Sequence, residues 1–362
     1  MTSRAPDRTV KLLIAEDSSL FADAIVGILE EDPAIRVVGV AKNGEQALAM
    51  TESLRPDVVL MDVFMPVLDG LTAVQAIMAK CPTPIVVMTA SPEGPTGSLA
   101  FEALSKGALD MVAKPTTWTG TKAEQDDLRA RVKLVANIRV VRLARTVAPS
   151  QRRPLVTKSD RTDARSRQRV VGIGASTGGP PALARILGDL PADFPYAVLV
   201  VQHLSMGFDR QLVGWLREVS ALRVELATAG MTASAGSVLV APCEQHLVLE
   251  ANGCVALSKA PAESGHRPSV DVLFSSLAMV CGSNGIGVEL TGMGADGARG
   301  MLEMRSRGAV TIAQDEATSV IFGMPKAAIA AGGVKDVLPI EEIAPSLCRL
   351  AAVGTRRGEV SA

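Results

Sequence analysis

The segment "VVGIGASTGGPPALARIL", residues 170–187, decides how the larger part of the chain folds. An apolar run is followed by a glycine-rich turn and then by apolar residues at helical spacing, which predicts a strand, a turn and a helix. Such a unit is the repeating element of parallel α/β sheets. The turn itself supports two interpretations, because a glycine turn can cradle nucleotide phosphates or present a nucleophile such as Ser176.

The same alternation extends over most of the chain. In the first part the predicted strands are "VKLLIAED", "IRVVGVA", "DVVLMD", "PIVVMTA" and "DMVAKP". Helices are predicted in "SSLFADAIVGILEED" and near 43–54, 70–80, 97–106 and 121–138. A second α/β pattern runs to about residue 350, and its period-2 stretches "SVLVAP" and "HLVLEANGCVALS" predict an inserted β-hairpin. We therefore predict an α/β fold of two domains, each a parallel doubly wound sheet flanked by helices.

The domain bounds follow from length and charge. The 362 residues are enough for two domains. Between the two patterns, residues 121–169 carry 14 Lys and Arg against 5 Asp and Glu, and the later part of this block is poor in bulky apolar residues. That composition is typical of a solvated linker. We predict a first domain at 1–125, a basic linker at 126–169, a second domain at 170–350 and a tail at 351–362.

Composition excludes several classes of protein. Hydrophobic residues make up 48% of the chain and aromatic residues 3%, so the cores must be aliphatic. The five cysteines include no C-x-x-C pair, which argues against a disulfide framework and a thiolate zinc site. The N-terminus lacks the apolar core of a signal peptide, and no apolar run is long enough to span a bilayer. We expect a cytoplasmic protein without membrane insertion.

Acidic residues gather where the strands of the first domain end. Glu16 and Asp17 follow the first strand, Asp62 ends the third, Thr89 the fourth and Lys114 the fifth. Ligands of open α/β sheets bind at this edge, and clustered carboxylates suit a hard cation such as Mg²⁺. Thr89 and Lys114 would then address an anion, such as a phosphoryl group on a carboxylate. The alternative is that each acid caps the helix that follows it; the complete set favours the ligand site.

These strand ends resemble the response-regulator receiver family across about residues 9–125, in "AEDS", "VLMDVFMPVLDG", "MTAS" and "AKP". The resemblance implies that Asp62 is the phosphoacceptor and that Glu16, Asp17 and Asp62 hold Mg²⁺. It implies that Thr89 and Lys114 contact the phosphoryl oxygens. The family often has an aromatic residue three positions before the lysine, where this chain has Met111, so we do not expect an aromatic switch.

The residues after the next strand separate the two interpretations of the glycine turn. A dinucleotide site needs an acidic residue at the end of the second strand to bind the ribose hydroxyls. Here that strand, "AVLVVQHL", ends in Gln202 and His203. An imidazole there can take a proton from a hydroxyl, which favours catalysis and His203 as the general base. His246 opens a predicted strand and is interpreted as structural or as lining the rim. For His266 we favour a structural or substrate-contact role.

A carboxylate to orient the imidazole is expected in "ELTGMGADGARG", residues 289–300. Asp296 lies in a glycine-rich turn after an apolar strand, where backbone N–H groups can help to build an oxyanion hole. The alternative is that Asp296 caps the helix that begins after it. The resulting order Ser, His, Asp differs from that of α/β-hydrolases and disfavours that fold.

Residues 170–350 resemble the catalytic domain of the chemotaxis protein-glutamate methylesterase family. The matching stretches are "VGIGASTGGP", "VQHL", "HRPSVD", "LTGMGADGA" and "AQDEATSVIFGMPKAA". The resemblance implies Ser176 as nucleophile, His203 as base and Asp296 as its orienting acid. It also implies that Met293, with neighbouring amides, lies at the oxyanion site and that Thr177 positions the imidazole. Gln202, Arg267 and the loop 313–320 are expected near the substrate groove.

The family implies hydrolysis of glutamate methyl esters, and deamidation of glutamine, on the cytoplasmic helices of chemoreceptors. The esterase chemistry would need no cofactor, and a histidine kinase would be the phosphodonor. Three other functions remain open at this point. They are a docking module with an inactive esterase fold, a dinucleotide-dependent enzyme, and a receiver whose output binds nucleic acid. The intact Ser, His and Asp argue against an inactive docking module. The missing acid after the second strand argues against a dinucleotide-dependent enzyme, and the acidic second domain argues against nucleic-acid binding.

Overall fold

The computed structural model describes residues 9–90, 95–114, 120–138 and 169–359. The chain divides into two compact units, residues 1–146 and 147–362, and each is described by itself. Most of the predicted linker and the end of the predicted tail lie outside the described residues. Within the described part of the chain, no helix combines the length and the apolarity needed to cross a bilayer.

The first unit alternates strands and helices as predicted. Its strands are β1 (Val10–Ala15), β2 (Ile35–Ala41), β3 (Val58–Asp62), β4 (Ile85–Thr89) and β5 (Asp110–Ala113). Its helices are α1 (Ser19–Glu30), α2 (Gly44–Leu54), α3 (Gly70–Lys80), α4 (Pro95–Ser105) and α5 (Lys122–Val135). The strands form one parallel sheet in the order β2-β1-β3-β4-β5, so helices cover both faces.

Helix caps in this unit come from residues other than the clustered acids. Ser18 caps α1 by accepting a hydrogen bond from the Phe21 N–H. Asp69 caps α3 by accepting one from the Thr72 N–H at 2.8 Å. Glu16, Asp17 and Asp62 are therefore not the caps of the helices that follow them, and the capping alternative does not explain why they are acidic.

The second unit holds a larger parallel sheet. Its strands are β6 (Val170–Ala175), β7 (Ala197–Gln202), β8 (Arg223–Leu226), β9 (Ser237–Val240), β10 (His246–Leu249), β11 (Val255–Ser258), β12 (Gly285–Glu289), β13 (Val310–Gln314) and β14 (Asp336–Leu338). Its helices are α6 (Gly179–Asp189), α7 (Asp209–Val219), α8 (Val270–Cys281), α9 (Ala298–Ser306), α10 (Met324–Ala330) and α11 (Ile340–Glu359). Seven strands pair in parallel in the order β14-β13-β12-β6-β7-β9-β8. The predicted fold class is confirmed for both units.

The predicted hairpin is present but does not include "SVLVAP". Strands β10 and β11 pair antiparallel as a separate two-stranded sheet. The segment Ser237–Val240 is β9 instead, which lies between β7 and β8 in the main sheet. All four of its residues are buried, so its period-2 pattern does not indicate a strand with one solvent-exposed face.

Two glycines of β6 let helix α8 approach the sheet closely. A Cβ atom at Gly172 would lie 2.4 Å from Leu277 Cδ1, and one at Gly174 would lie 2.2 Å from Val270 Cγ1. Any larger residue would push the helix outward. The start of α8 therefore lies against the end of β6, next to the turn that carries Ser176.

Candidate active site and receiver acid cluster

Ser176 and His203 leave adjacent strands at the same edge of the larger sheet. The last register pair between β6 and β7 is Ala175 with Gln202. Ser176 directly follows Ala175, and His203 directly follows Gln202. The His203 N–H donates to the Ala175 carbonyl at 3.0 Å. The strand register thus brings the predicted nucleophile and base to neighbouring positions at the carboxyl edge, where α/β sheets bind ligands.

Hydrogen bonds fix both the backbone N–H and the backbone carbonyl of Ser176. The Ser176 N–H donates to the Thr291 carbonyl at 3.0 Å. The Ser176 carbonyl accepts from Gln202 Nε2 and from the Gly179 N–H, both at 2.8 Å. Gly178 takes a left-handed φ of +76°, which turns the chain into α6. A serine fixed in this way and half-buried can be presented as a nucleophile with little reorganisation.

The structure brings His203 and Asp296 into direct contact. His203 Nε2 lies 2.9 Å from Asp296 Oδ2, and the carboxylate is buried. The carboxylate also accepts from Ser269 Oγ at 2.7 Å, from the Val270 N–H at 2.8 Å and from the Asp271 N–H at 3.0 Å. These donors form the beginning of α8. Asp296 is therefore bound to the N-terminus of α8 and does not cap α9, whose cap position is Gly297.

This environment keeps the Asp296 carboxylate charged. Burial alone would raise its pKa, but the hydrogen bonds from His203 and from the Asp271 and Val270 N–H groups outweigh burial and lower the pKa to about 2. At neutral pH the group is an anion that can hold the N–H of an imidazole ring and stabilise its protonated form. Those are the two tasks that an acid performs beside a catalytic histidine.

The other ring nitrogen of His203 is directed away from Asp296. Nδ1 is buried and has no hydrogen-bond partner among the residues that the structure describes. The Ser176 hydroxyl is therefore not hydrogen-bonded to the imidazole here. With Nε2–H given to the carboxylate, Nδ1 is the nitrogen left to accept a proton, and contacts of this kind often tighten only with substrate.

The two other histidines differ in their surroundings. The ring of His266 stacks on that of His203, with centroids 3.9 Å apart and planes 6° from parallel. His246 is buried; its Nδ1 accepts from the Ser269 N–H and its Nε2 lies 3.1 Å from the Pro261 carbonyl. His246 thus links the residue that caps α8 to the segment after β11, which is a structural contact.

The turn after β12 passes directly beside the nucleophile. A Cβ atom at Gly292 would lie 2.7 Å from Ser176 Cβ, so only glycine fits there. Met293, predicted at the oxyanion site, follows and is 51% exposed. Gly294 has open space where a Cβ would be. Thr177 is buried and its carbonyl accepts from Thr291 Oγ1 at 3.0 Å.

Three further predicted positions lie in different surroundings. Gln202 is buried, and its amide donates to the carbonyls of Ser176 and His203, so it lies directly beside the nucleophile turn. The Arg267 guanidinium bonds Glu244 at 2.6 Å and the carbonyls that follow β11. The loop 313–320 lies against the nucleophile turn, since a Cβ at Gly178 would lie 2.5 Å from Val320 Cβ.

Glu289 was missed by sequence reasoning. It ends β12, is fully buried, and neither carboxyl oxygen has a hydrogen-bond partner among the described residues. Burial raises its pKa well above the usual value, and the nearby Asp296 and Asp271 raise it further. A single glutamate inside the apolar run "GIGVEL" was the available signal.

The acids of the first unit converge as predicted. One oxygen from each of Glu16, Asp17 and Asp62 lies within 4.8 Å of the others. Lys114 Nζ lies 2.6 Å from Glu16 Oε2 and 2.8 Å from Asp62 Oδ2. Burial raises the pKa of Asp62 and the lysine opposes that rise. The Thr89 hydroxyl is buried nearby at the strand edge, without a partner among the described residues.

This donor set fits a hard divalent cation. Three carboxylates supply the oxygens that Mg²⁺ prefers, and Asp17 is exposed, so a hydrated ion can reach the cluster. Lys114 balances only part of their negative charge.

Met111 stands where the receiver family often has an aromatic residue. It is buried in β5.

Comparison with known proteins identifies the family of each unit. Sequence profiles match residues 12–123 to the response regulator receiver domain and residues 171–347 to CheB methylesterase. Protein-glutamate methylesterase/protein-glutamine glutaminase 2 of Anaeromyxobacter dehalogenans is 44% identical over 97% of this chain and 99% of that protein. The corresponding protein 1 of Cupriavidus pinatubonensis is 43% identical over 93% of this chain and 96% of its own.

A solved structure matches the second unit. The crystal structure of the Thermotoga maritima CheB methylesterase catalytic domain is 40% identical, with a TM-score of 0.50, and the match covers 51% of this chain and 98% of that one. The similarity to the full-length relatives runs through both units. The chain therefore belongs to the family of the protein-glutamate methylesterase/protein-glutamine glutaminase enzymes, in which a response regulator receiver domain precedes a CheB methylesterase domain.

Proposed function

We propose that this chain hydrolyses γ-glutamyl methyl esters on the cytoplasmic helices of chemoreceptors, under control of phosphorylation at Asp62. The observation that carries the proposal is the His203–Asp296 pair, joined at 2.9 Å at the strand edge next to the fixed turn of Ser176. The names of the relatives supply the substrate class. The same site would deamidate glutamine.

In the first step the Ser176 hydroxyl attacks the ester carbonyl and His203 Nδ1 takes its proton. Asp296 holds the opposite ring nitrogen and stabilises the imidazolium that forms. Backbone amides of the exposed turn at Met293 stabilise the oxyanion. The tetrahedral intermediate then expels methoxide, which leaves as methanol after taking the proton from His203, and an acyl-enzyme remains.

The second step reverses these roles. Water enters, His203 removes its proton, and the hydroxide attacks the acyl carbon. Ser176 leaves with the returned proton, and the receptor glutamate is released. A glutamine amide follows the same course, with ammonia as the leaving group. Amide hydrolysis is slower, because the departing nitrogen must be protonated before its bond breaks.

Control would come from the receiver domain. Asp62 accepts a phosphoryl group from a histidine kinase, and the acidic cluster of Glu16, Asp17 and Asp62 would hold Mg²⁺. When bound there, the cation would supply positive charge beside the phosphoryl oxygens. Lys114 changes its bond from the Asp62 carboxylate to those oxygens, and the Thr89 hydroxyl donates to them. Phosphorylation then raises the rate of ester hydrolysis.

Methanol release from a methylated receptor fragment tests the proposal. Wild-type protein is measured with and without a small phosphodonor and Mg²⁺, beside the Ser176→Ala variant. We expect release by wild type, stimulation by the phosphodonor and at least about a thousandfold loss in the variant. Release by Ser176→Ala at the wild-type rate would refute the nucleophile. Docking of wild type to the fragment without any release would support a binding module instead.

A further inference from the structure

The side-chain amide of Gln202 joins the two residues that exchange the proton. Its Nε2 donates to the Ser176 carbonyl at 2.8 Å and to the His203 carbonyl at 3.0 Å. Gln202 is the last residue of β7 and is only 4% exposed. One amide group therefore ties the backbone of the predicted nucleophile to the backbone of the predicted base.

The assignment of the amide orientation is fixed by its surroundings. Both atoms facing Nε2 are carbonyl oxygens, which can only accept hydrogen bonds. The opposite orientation would place Oε1 against two acceptors and lose both bonds. The NH₂ group uses both of its hydrogens on these carbonyls, whereas the amide oxygen is buried and has no hydrogen-bond partner among the described residues.

The neighbouring helix leaves room for this amide and for nothing larger. A Cβ at Gly179, the first residue of α6, would lie 2.0 Å from Gln202 Oε1 and 2.8 Å from Ala175 Cβ. An alanine at this position would displace the glutamine. The second glycine of "STGGP" is thus required by the Gln202 side chain, in addition to the turn requirement at Gly178.

We propose that Gln202 is a positioning residue for acyl transfer, which sets the separation between the Ser176 hydroxyl and the His203 ring. The inference rests on the proposed hydrolysis for its kinetic readout. Ser176 and His203 are joined by no hydrogen bond between their side chains in this structure, so their approach is governed by their backbones. A small error in such an approach is costly, since misplacing a reacting group by about 1 Å can lower the rate about a hundredfold.

Two substitutions of similar size separate positioning from packing. Gln202→Met fills the space and cannot donate. Gln202→Glu has nearly the same shape but, when ionised, places negative charge against two carbonyl oxygens. We expect kcat for methanol release to fall about 10- to 100-fold in both, with KM within about threefold of wild type.

The pH profile supplies a readout that a merely structural role would not move. When protonated, the carboxyl introduced by Gln202→Glu can donate to one of the carbonyls, whereas the thioether of Gln202→Met cannot donate at any pH. The ratio of Gln202→Glu to wild-type kcat should therefore rise as the pH is lowered, and the ratio for Gln202→Met should stay flat. Parallel ratios for the two variants would contradict the inference.

Ser276→Ala is the matched control. Ser276 is buried in α8, where its hydroxyl accepts from the Leu249 N–H and donates to the Leu273 carbonyl, away from the strand edge. We expect it to lower Tm as much as the Gln202 variants and to keep wild-type kcat. If the Gln202 variants keep kcat within about twofold, or if Ser276→Ala loses as much kcat as they do at an equal loss of Tm, Gln202 has a packing role and the inference is wrong.

A reagent assay keeps this outcome separate from failure of the proposed function. Sulfonyl fluorides modify activated serines, and mass spectrometry gives the rate of modification of Ser176. If wild type releases no methanol, the proposed substrate is wrong, and the sulfonylation rates of wild type, Gln202→Met and Ser276→Ala decide the positioning role. Slow modification in Gln202→Met alone supports the role, and equal rates in all three overturn it.

Discussion

The two units each bury an aspartate at the carboxyl edge of a parallel sheet, and they stabilise its charge in opposite ways. Asp62 accepts from the Lys114 ammonium at 2.8 Å and from the Phe64 N–H at 3.2 Å, and it lies beside two more acids. Asp296 faces an imidazole, a hydroxyl and two N–H groups at the start of a helix. Burial keeps the pKa of Asp62 raised, whereas the donors lower that of Asp296 to about 2.

The contrast fits the roles that we propose for the two groups. A carboxylate that is to bind a metal and accept a phosphoryl group needs oxygens that can exchange partners, and a lysine on a flexible stem can move aside. A carboxylate that only orients a histidine must not move or take up a proton. Backbone N–H groups at a helix start are rigid donors that favour the anion. The kind of donor therefore indicates whether a buried acid reacts or only supports.

Asp296→Asn gives the largest expected effect. The amide keeps the size of the side chain but loses the charge that holds Nε2–H, so His203 can adopt the wrong tautomer. We expect kcat to fall about 10³- to 10⁴-fold in methanol release, while circular dichroism stays native. Asp271→Asn serves as a comparison, because that acid bonds the Gly300 N–H instead of the imidazole. A loss below tenfold in Asp296→Asn would mean that the fixed anion is not needed.

Asp62→Asn should abolish stimulation by the phosphodonor and leave basal hydrolysis unchanged. An amide cannot form the acyl phosphate, and the second unit keeps all of its own site residues. Methanol release with and without phosphodonor gives the ratio. Asp69→Asn is the matched control, since Asn also caps a helix well and Asp69 accepts from Thr72 in the same segment. Stimulation that persists in Asp62→Asn would place the phosphorylated residue elsewhere.

The Glu289 carboxyl is buried and has no hydrogen-bond donor among the described residues, so replacing it should stabilise the protein. We expect Glu289→Met to raise the unfolding free energy by about 1–3 kcal/mol, because a polar group without a partner leaves the interior. Chemical denaturation of both proteins measures the difference. A destabilised variant would mean that the carboxyl has a partner in solution, such as a buried water.

The same residue predicts a pH dependence of stability. The folded protein holds the Glu289 proton more tightly than the unfolded chain does, because its pKa lies above the usual 4.5. As pH rises from that value to the raised folded value, wild type should lose up to about 1.4 kcal/mol per pH unit relative to Glu289→Gln. Denaturation curves between pH 4 and 9 test this. Parallel curves would show that Glu289 titrates normally.

The smallest effect is expected at an acid that only caps. Asp69→Ala removes the bond to the Thr72 N–H and should cost about 0.5–2 kcal/mol of receiver stability. Phosphodonor stimulation should survive. If it does not, the cap also shapes the phosphorylation site, and the distinction between reacting and supporting acids fails in this unit.

The strand ends were the predictable part of both sites. Ser176, His203 and Asp296 each follow an apolar run in the sequence, and the parallel arrangement places such positions on one edge. The acids of the receiver were found for the same reason. Domain type and enzyme family were also accessible, because the glycine turns are long and ordered motifs.

Other features depend on contacts between distant segments and left no local pattern. The donors that surround Asp296 come from α8, some 25 residues earlier, and their approach depends on glycines in β6. Gln202 was expected near the substrate groove, but no local pattern indicated that its amide bonds the carbonyls of both Ser176 and His203. The sequence did not show that Ser237–Val240 lies inside the main sheet, because its period-2 pattern gave no sign that both faces of this strand are buried.

The hydrogen bonds between Asp296 and the first turn of α8 would couple the end of a helix to the proposed reaction. Helix ends fray more readily than a sheet melts, since local opening costs less than global unfolding. Mild heat or low denaturant that loosens Ser269 and Val270 would free the carboxylate from its donors. Inactivation should then precede the loss of secondary structure, and the first turn of α8 would set the upper temperature at which this enzyme works.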